Sequence, residues 1–387
     1  MDILELKERL QELETPFYYY DTDLLDRTLE EAKRCAAVIP TAEIHFAVKA
    51  NANPIVLRHM REAGLGADCV SGGEIERCLK VGIPANKIVY AGVGKTDKEI
   101  RLGIKNDILC FNAESLPEIE IINQLAAEQG KTARVALRIN PNIDAHTHKN
   151  ITTGLEENKF GITTDALEEA VEAVMKAPNL QLHGLHFHIG SQILHFGCFK
   201  TLCKKINSLQ DQLESKGYPV LPSINVGGGL GVDYVHPEKN PIADFETYFA
   251  TFAENLKLRP GQSLHFELGR ALTAQWGALV TRTILVKKTK TKQFAIVDAG
   301  FTDLIRPALY QAHHKIVNLS NEGHRQTYDV VGPICESSDV FDTDIKLATV
   351  RRGDLLALLS AGAYGFVMAS QYNCRKLPAE YTSEDFR

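Results

Sequence analysis

From about residue 43 onward, short apolar or β-branched runs alternate with amphipathic stretches of helical period, each separated by a polar or glycine-containing stop. The strand-like runs are IHFAVK (44–49), GADCV (66–70), KIVYAG (87–92), DILCFN (107–112), VALRIN (135–140), LHGLHFHIG (182–190), SINVGG (223–228) and LHFELG (264–269). Helical patterns fill the gaps: NPIVLRHMREAG with Pro54 in its first turn, GEIERCLKVG closed by Gly82, and ESLPEIEIINQLAAEQG closed by Gly130. Eight such repeats over roughly 230 residues predict a (β/α)8 barrel. An open doubly wound sheet is the alternative, although eight units are many for it.

After Arg270 the texture changes. WGALVTRTILVKKTK, KQFAIVDAG, TYDVVGPI and DIKLATVRRGDLLALL read as strands without long helices between them, and so as an all-β domain. FYYYD (17–21) is also strand-like and is expected to pair with that domain. The division expected is a barrel over 22–273 and a β domain over 274–387 that also takes up 1–21. A length of 387 residues accommodates two such domains.

Composition narrows the partners. With 43 Lys plus Arg against 49 Asp plus Glu, the net charge of −6 points to neither a nucleic acid nor an anionic membrane. The eight cysteines show no C-x-x-C pair, which reads as reduced thiols in a cytoplasmic protein. The start MDILELKERLQELE is charged and helix-like, unlike a signal peptide. The uncharged run LLALLSAGAYGFVMAS is too short to span a membrane and reads as buried strand.

In a barrel the reactive groups gather at the C-terminal ends of the strands, so those ends carry the information. The first ends on Lys49, which desolvation would turn into a nucleophilic amine; the plain alternative is a solvated lysine. The sixth ends HFHIGSQ, with His186 and His188 on one face and Ser191 beyond. Two such histidines suit a metal-dependent hydrolase, or one can lie flat against a ring. The seventh offers INVGGGLG, whose glycines could cradle a phosphate. It fails as a dinucleotide fingerprint because residue 232 is Val, and AGVGKT fails as a P-loop because Val89 replaces the first glycine. The eighth offers Glu267, then Gly269 and Arg270. A lysine, a histidine, a glycine turn and a Glu before Gly-Arg together suit pyridoxal 5′-phosphate: an amine for its aldehyde, a face for its ring, donors for its phosphate, and an acid for its pyridine nitrogen. A carboxylate there keeps the ring protonated, which favours decarboxylation.

FAVKAN, HFHIGSQ, NVGGGLG, ELGR, GPICES and AGAYG occur in this order between residues 46 and 365. On these motifs the chain resembles the fold-type III pyridoxal-phosphate decarboxylases, most closely the members that act on diaminopimelate. The resemblance implies that Lys49 carries the cofactor, His188 stacks on its ring and Glu267 pairs with its nitrogen. It places Asp68, Ser191, Gly228, Gly229, Leu268, Gly269, Arg270 and Tyr364 around the cofactor, with Arg270 and Tyr364 also facing substrate. It further implies a homodimer with shared active sites, in which Cys335 donates a proton across the interface. The substrate implied is meso-2,6-diaminopimelate, decarboxylated at its D end to L-lysine in the last step of lysine biosynthesis.

Side-chain charge supports that substrate. Diaminopimelate carries an ammonium and a carboxylate at its far end, and a guanidinium binds a carboxylate bidentately. Arg306 and Tyr310, at i and i+4 around Pro307 in FTDLIRPALYQ, can face one ligand, while Glu336 takes the ammonium. Arg306 read plainly is a surface or interface salt bridge. The family's usual CESGD reads CESSD here, so Ser338 departs from the pattern. D-lysine, D-ornithine or a carboxylated polyamine such as carboxynorspermidine are alternative substrates. A non-catalytic binding homologue is a further, more distant reading. HTHKNITTGLEENKFGI, after the fifth strand, is long enough to act as a lid.

Overall fold

A computed structural model of the chain describes Ile3, residues 5–143 and residues 159–387. Residues 146–158, most of the expected lid, lie outside the described residues. A short helix α1 (Lys7–Leu10) leads into β1 (Phe17–Tyr20) and α2 (Thr22–Ala36). There follow β2 (Ala42–Ala47), α3 (Pro54–Glu62), β3 (Gly66–Cys69), α4 (Gly72–Lys80), β4 (Ile88–Tyr90), α5 (Asp97–Asn106), β5 (Cys110–Ala113) and α6 (Leu116–Glu128). The alternation continues through β6 (Ala133–Asn140), the two-residue β7 (Ile162–Thr163), α7 (Leu167–Lys176), β8 (Leu180–His186), α8 (Gly197–Ser215), β9 (Ser223–Asn225), α9 (Phe245–Asn255), β10 (Ser263–Leu268) and α10 (Arg270–Thr273). Beyond these lie β11 (Gly277–Lys288), β12 (Gln293–Val297), α11 (Arg306–Tyr310), β13 (Ile316–Asn318), β14 (Arg325–Val331), β15 (Val340–Ala348), β16 (Leu355–Leu358) and β17 (Ala379–Thr382). The chain forms two compact units, Leu29–Gly231 with Asp244–Gly269, and Met1–Thr28 with Val232–Ala243 and Arg270–Arg387.

In the first unit the eight expected strands close into a parallel barrel, in the order β2, β3, β4, β5, β6, β8, β9, β10, with β10 pairing back to β2. Local sequence starts its helices where the pattern placed them. Asn53 accepts from the Ile55 amide ahead of Pro54, Ser71 caps α4, and Thr96 with Glu99 forms a capping box on α5. Two strand ends differ from expectation. Lys49 sits in a 3-10 turn (Val48–Ala50) after β2, and His188 lies two residues past the end of β8. Both fall in the backbone that leaves the strand.

Side-chain direction follows from β10. Phe266 faces outward, its ring 5.8, 4.8 and 5.3 Å from those of Tyr248, Phe249 and Phe252, so the alternate residues His265 and Glu267 point into the barrel. Gly66 makes room for the inward His45, since a Cβ there would lie 2.4 Å from its Nδ1. Branched aliphatics usually fill such interiors; here the core is polar, with His45, Asp68, Asn112, His186, Asn225, His265 and Glu267 all buried. His45 Nδ1–H donates to Lys87 O at 3.2 Å, and because a carbonyl only accepts, the remaining protons are assigned in sequence. His265 Nδ1–H donates to His45 Nε2 and Ser263 Oγ–H to His265 Nε2, each at 2.8 Å.

The second unit is a β sheet of order β13, β16, β11, β12, β14, β15. FYYYD joins it as expected: β1 runs antiparallel to β11 and parallel to β17. Phe17, Tyr19, Val280, Leu355 and Ala357 pack in its core. Of the run LLALLSAGAYGFVMAS, only Leu355–Leu358 is strand; Ser360 and Tyr364 have left-handed backbone, which no strand accommodates. DIKLATVRRGDLLALL likewise divides into the end of β15 and β16 around a turn at Gly353, whose φ is +91°.

The histidine chain makes the barrel sensitive to acid. Burial pushes His265 down to about 2 and His183, whose ring packs edge-on to His265, down to about 4, below the ordinary 6.5. Below that ordinary value the unfolded chain binds protons that the folded barrel refuses, so stability is complete above it and is lost as pH falls. In urea unfolding followed by circular dichroism, His265→Gln is expected to flatten the stability loss between about pH 6 and pH 4, by up to ~1.4 kcal/mol per pH unit. Parallel profiles for variant and parent would contradict the assignment.

Candidate active site

At the C-terminal end of the barrel a buried carboxylate is held from three strands. His186 Nε2–H donates to Glu267 Oε2 at 2.8 Å, while Asn225 and Asn112 Nδ2 donate to Oε1 at 2.8 and 3.2 Å. Burial works against the charge, but His186 and Lys49 hold the Glu267 carboxyl well below the usual range. Lys49 Nζ lies 3.2 Å from Asp68 Oδ2. Burial and the Glu267 charge push Asp68 up against the pull of that lysine, and its Oδ1 is buried without a partner. His188 is held neutral, first by burial and then by the charges of Lys49 and Arg138, and its Nδ1 accepts from the Gly228 amide at 3.3 Å.

The glycine turn after β9 is a close approach of backbones. A Cβ on Gly227 would lie 2.3 Å from Phe187 O and one on Gly228 2.0 Å from Glu267 O, while Gly227 and Gly229 take φ of +70° and +108°. The Gly227 amide donates to Asn225 Oδ1 and that of Gly228 to His188, leaving the Gly229 amide, rather than those two, for an anion. Ser191 stands half-buried beyond Gly190, and Leu268 closes β10 ahead of Gly269.

These groups fit pyridoxal phosphate. A lysine amine, a neutral imidazole, an ionised carboxylate and a turn free of side chains lie at this end of the barrel, where Asp68 Oδ1 and His186 Nδ1 are buried without partners. Of the two histidines weighed as metal ligands, one ring nitrogen of each is already engaged, His186 Nε2 by Glu267 and His188 Nδ1 by the Gly228 amide. Among the described residues the His and acid grouping with metal-ligand spacing is Glu43, His45 and His265, and its imidazoles are bonded to each other.

The second unit gathers a different set. Tyr234 lies between two guanidiniums: Arg270 Nη1–H donates to its hydroxyl at 2.7 Å, and the Arg306 Cζ sits 4.8 Å from its ring centroid. Arg270 also covers Tyr364, at 4.9 Å. Burial of the phenol is overcome by these two cations, which lower Tyr234. Arg306 opens α11 ahead of Pro307 and is 4% exposed, whereas Tyr310 at the other end of the helix is half-buried. Cys335 and Glu336 stand exposed on a separate loop, where Tyr372 Oη–H donates to Glu336 at 2.8 Å and the Cys335 amide to Asn373 Oδ1 at 3.4 Å. Among the described residues neither bonds to Arg270 or Arg306. Ser338 is exposed and absent from the left-handed residues, so the loop does not need glycine there.

Sequence reasoning missed Asn112, Asn225, Tyr234 and His314. Asn112 ends the recognised run DILCFN, so reading strand ends for amides finds it, whereas Asn225 falls inside SINVGG and becomes a strand end only in the structure. Tyr234 and His314 carried no local signal, because only packing brings them to the arginines.

Together the closed barrel, the lysine after its first strand and the clamped glutamate define a pyridoxal-phosphate enzyme of (β/α)8 type. In agreement, residues 25–274 match the pyridoxal binding domain of the pyridoxal-dependent decarboxylases. The chain belongs to the diaminopimelate decarboxylase family within that group. It is 57% identical over 378 residues to the diaminopimelate decarboxylase of Bacteroides thetaiotaomicron, covering 98% of each chain. It is 40% identical over 384 residues to that of Aquifex aeolicus, covering 99% of this chain and 90% of the relative. The crystal structure of diaminopimelate decarboxylase from Helicobacter pylori complexed with L-lysine matches at TM-score 0.91 and 39% identity, over 98% of this chain and 94% of that one.

Gly228→Ala tests the turn. Its methyl group would force β9 and β10 apart at Glu267, and pyridoxal phosphate affinity, measured by absorbance titration, is expected to fall about tenfold or more, a loss of ~1.4 kcal/mol or greater. Unchanged affinity would contradict the close approach.

Proposed function

We propose that the protein decarboxylates meso-2,6-diaminopimelate to L-lysine, the last step of lysine biosynthesis, as a cytoplasmic homodimer. The observation that carries the substrate choice is Arg306: a buried guanidinium with no acidic partner among the described residues and with its Nε unpartnered. A buried cation without a counter-ion is costly, and a ligand carboxylate removes that cost. Lysine and ornithine as substrates offer no carboxylate at the end remote from the reaction.

Pyridoxal 5′-phosphate, when bound, supplies an aldehyde to hold the substrate amine and a protonated ring to accept the electron pair released with CO2. Lys49 holds the cofactor through Nζ, and Asp68 beside it provides an acceptor for protons on that amine. Glu267 stays ionised under its three donors and so retains a proton on the pyridine nitrogen. His188, being neutral, can lie against the ring without adding charge to it. Ser191, Gly229, Gly269 and Arg270 hold the phosphate end, and Tyr364 lies against Arg270. Arg306 with Tyr310 takes the distal carboxylate and Glu336 the distal ammonium. Cys335 Sγ returns a proton to the α-carbon. The exposure of Cys335 and Glu336 in the single chain supports their use in a partner subunit's site.

CO2 release from meso-diaminopimelate, D-lysine and D-ornithine tests the proposal directly. Turnover of the first is expected, and its absence in cofactor-loaded protein would overturn the reading. Arg306→Ala is expected to lower kcat/KM for diaminopimelate about 10- to 100-fold, the worth of a charge-assisted hydrogen bond, with little change for D-lysine. An unchanged value for diaminopimelate would favour another diamino acid as substrate.

A further inference from the structure

Arg306 is useful to a carboxylate only if its planar fork is held in one orientation, because a free arginine side chain loses considerable rotamer entropy on binding. The structure contains the device that holds it. His314 is 1% exposed, eight residues beyond Arg306, and its Nε2 accepts from Arg306 Nη1–H at 2.8 Å. Its other nitrogen lies 2.9 Å from Leu359 O. A carbonyl oxygen can only accept, so Nδ1 carries the ring proton and Nε2 presents its lone pair to the guanidinium. Leu359 follows directly on β16, so the imidazole is anchored to the sheet of this unit. Burial and the neighbouring Arg306 push His314 down to about 3, consistent with the neutral form that this geometry requires.

The other side of the guanidinium is covered by the Tyr234 ring, and the ring of Tyr234 also packs edge-on to His314 at 5.2 Å. The guanidinium is thus committed to His314 through one terminal nitrogen and to Tyr234 through both its ring and its hydroxyl. Nε remains buried and without a partner. Nε is therefore the donor for which an incoming carboxylate supplies the missing acceptor.

Resting on the proposed recognition of a distal carboxylate, we infer that His314 is a positioning residue for substrate specificity: its neutral Nδ1–H tautomer, locked by Leu359 O, fixes Arg306 so that Nε meets that carboxylate. His314 touches no substrate in this arrangement. Its contribution reaches only ligands that carry the carboxylate.

Calorimetric titration of the pyridoxal-phosphate-loaded enzyme with two ligands tests this. L-Lysine retains the carboxylate that Arg306 would bind, whereas cadaverine has the same carbon chain and amines but no carboxylate. His314→Leu is expected to weaken L-lysine binding about tenfold, the loss of ~1.4 kcal/mol expected for an arginine freed from one charge-assisted bond, while cadaverine binding stays within about twofold. His314→Gln, which restores an acceptor at the end of a side chain of similar reach, is expected to recover most of the L-lysine affinity. In kinetics, the leucine variant is expected to raise KM for meso-diaminopimelate more than it lowers kcat. Equal loss of both ligands, or no recovery by glutamine, would show a merely structural role and overturn the inference. Wild-type enzyme that releases no CO2 from diaminopimelate would instead overturn the substrate reading, so the two failures are distinguishable.

Discussion

A carboxylate buried in a barrel must be paired, and the Glu267 clamp is the constraint around which the first unit is built. Its three donors come from three different strands, β5, β8 and β9, so the charge is satisfied only when the barrel is closed in one register. A shift of a single residue along any of these strands would turn its donor to the outer face and leave the carboxylate short of a partner. The same pairing gives Glu267 its low proton affinity, so one set of hydrogen bonds specifies the fold and the electronic character of the site.

The polar interior extends this principle to the other end of the barrel. His45, His265 and Ser263 form a chain in which each ring proton has one assigned place, and Gly66 supplies the space for the first ring. Such a core gives up some hydrophobic burial, which the outer layer restores through Phe266 and the aromatic face of α9. In the second unit the problem is inverted. Two buried guanidiniums share Tyr234 between them, and one of them, Arg306, also donates to the neutral His314.

Much of this was legible beforehand. The alternation of strand and helix gave eight strands because periodicity is local, and the helix starts followed from Asn53, Ser71 and Thr96, whose capping also acts over a few residues. Lys49, His188 and Glu267 stood out because strand ends are where a barrel exposes chemistry. Other features were misjudged for equally physical reasons. The apolar run after Asp354 reads as one strand, yet the left-handed backbone at Ser360 and Tyr364 breaks it, and neither residue announces that conformation. The glycine turn suggested open amides, whereas two of them are already bonded to Asn225 and His188.

The sequence by itself determined the order of the elements, the closed parallel architecture and the set of motifs that belong together, since each depends on residue type and on spacing along the chain. Only the tertiary structure decided how the ionisable groups behave. Whether a histidine is neutral, a carboxylate ionised or an arginine partnered depends on burial and on neighbours distant in sequence: Asn112 is 155 residues from Glu267, and His186 is 81. Spacing along the chain is silent on such contacts, because electrostatic free energy is set by distance and dielectric in space.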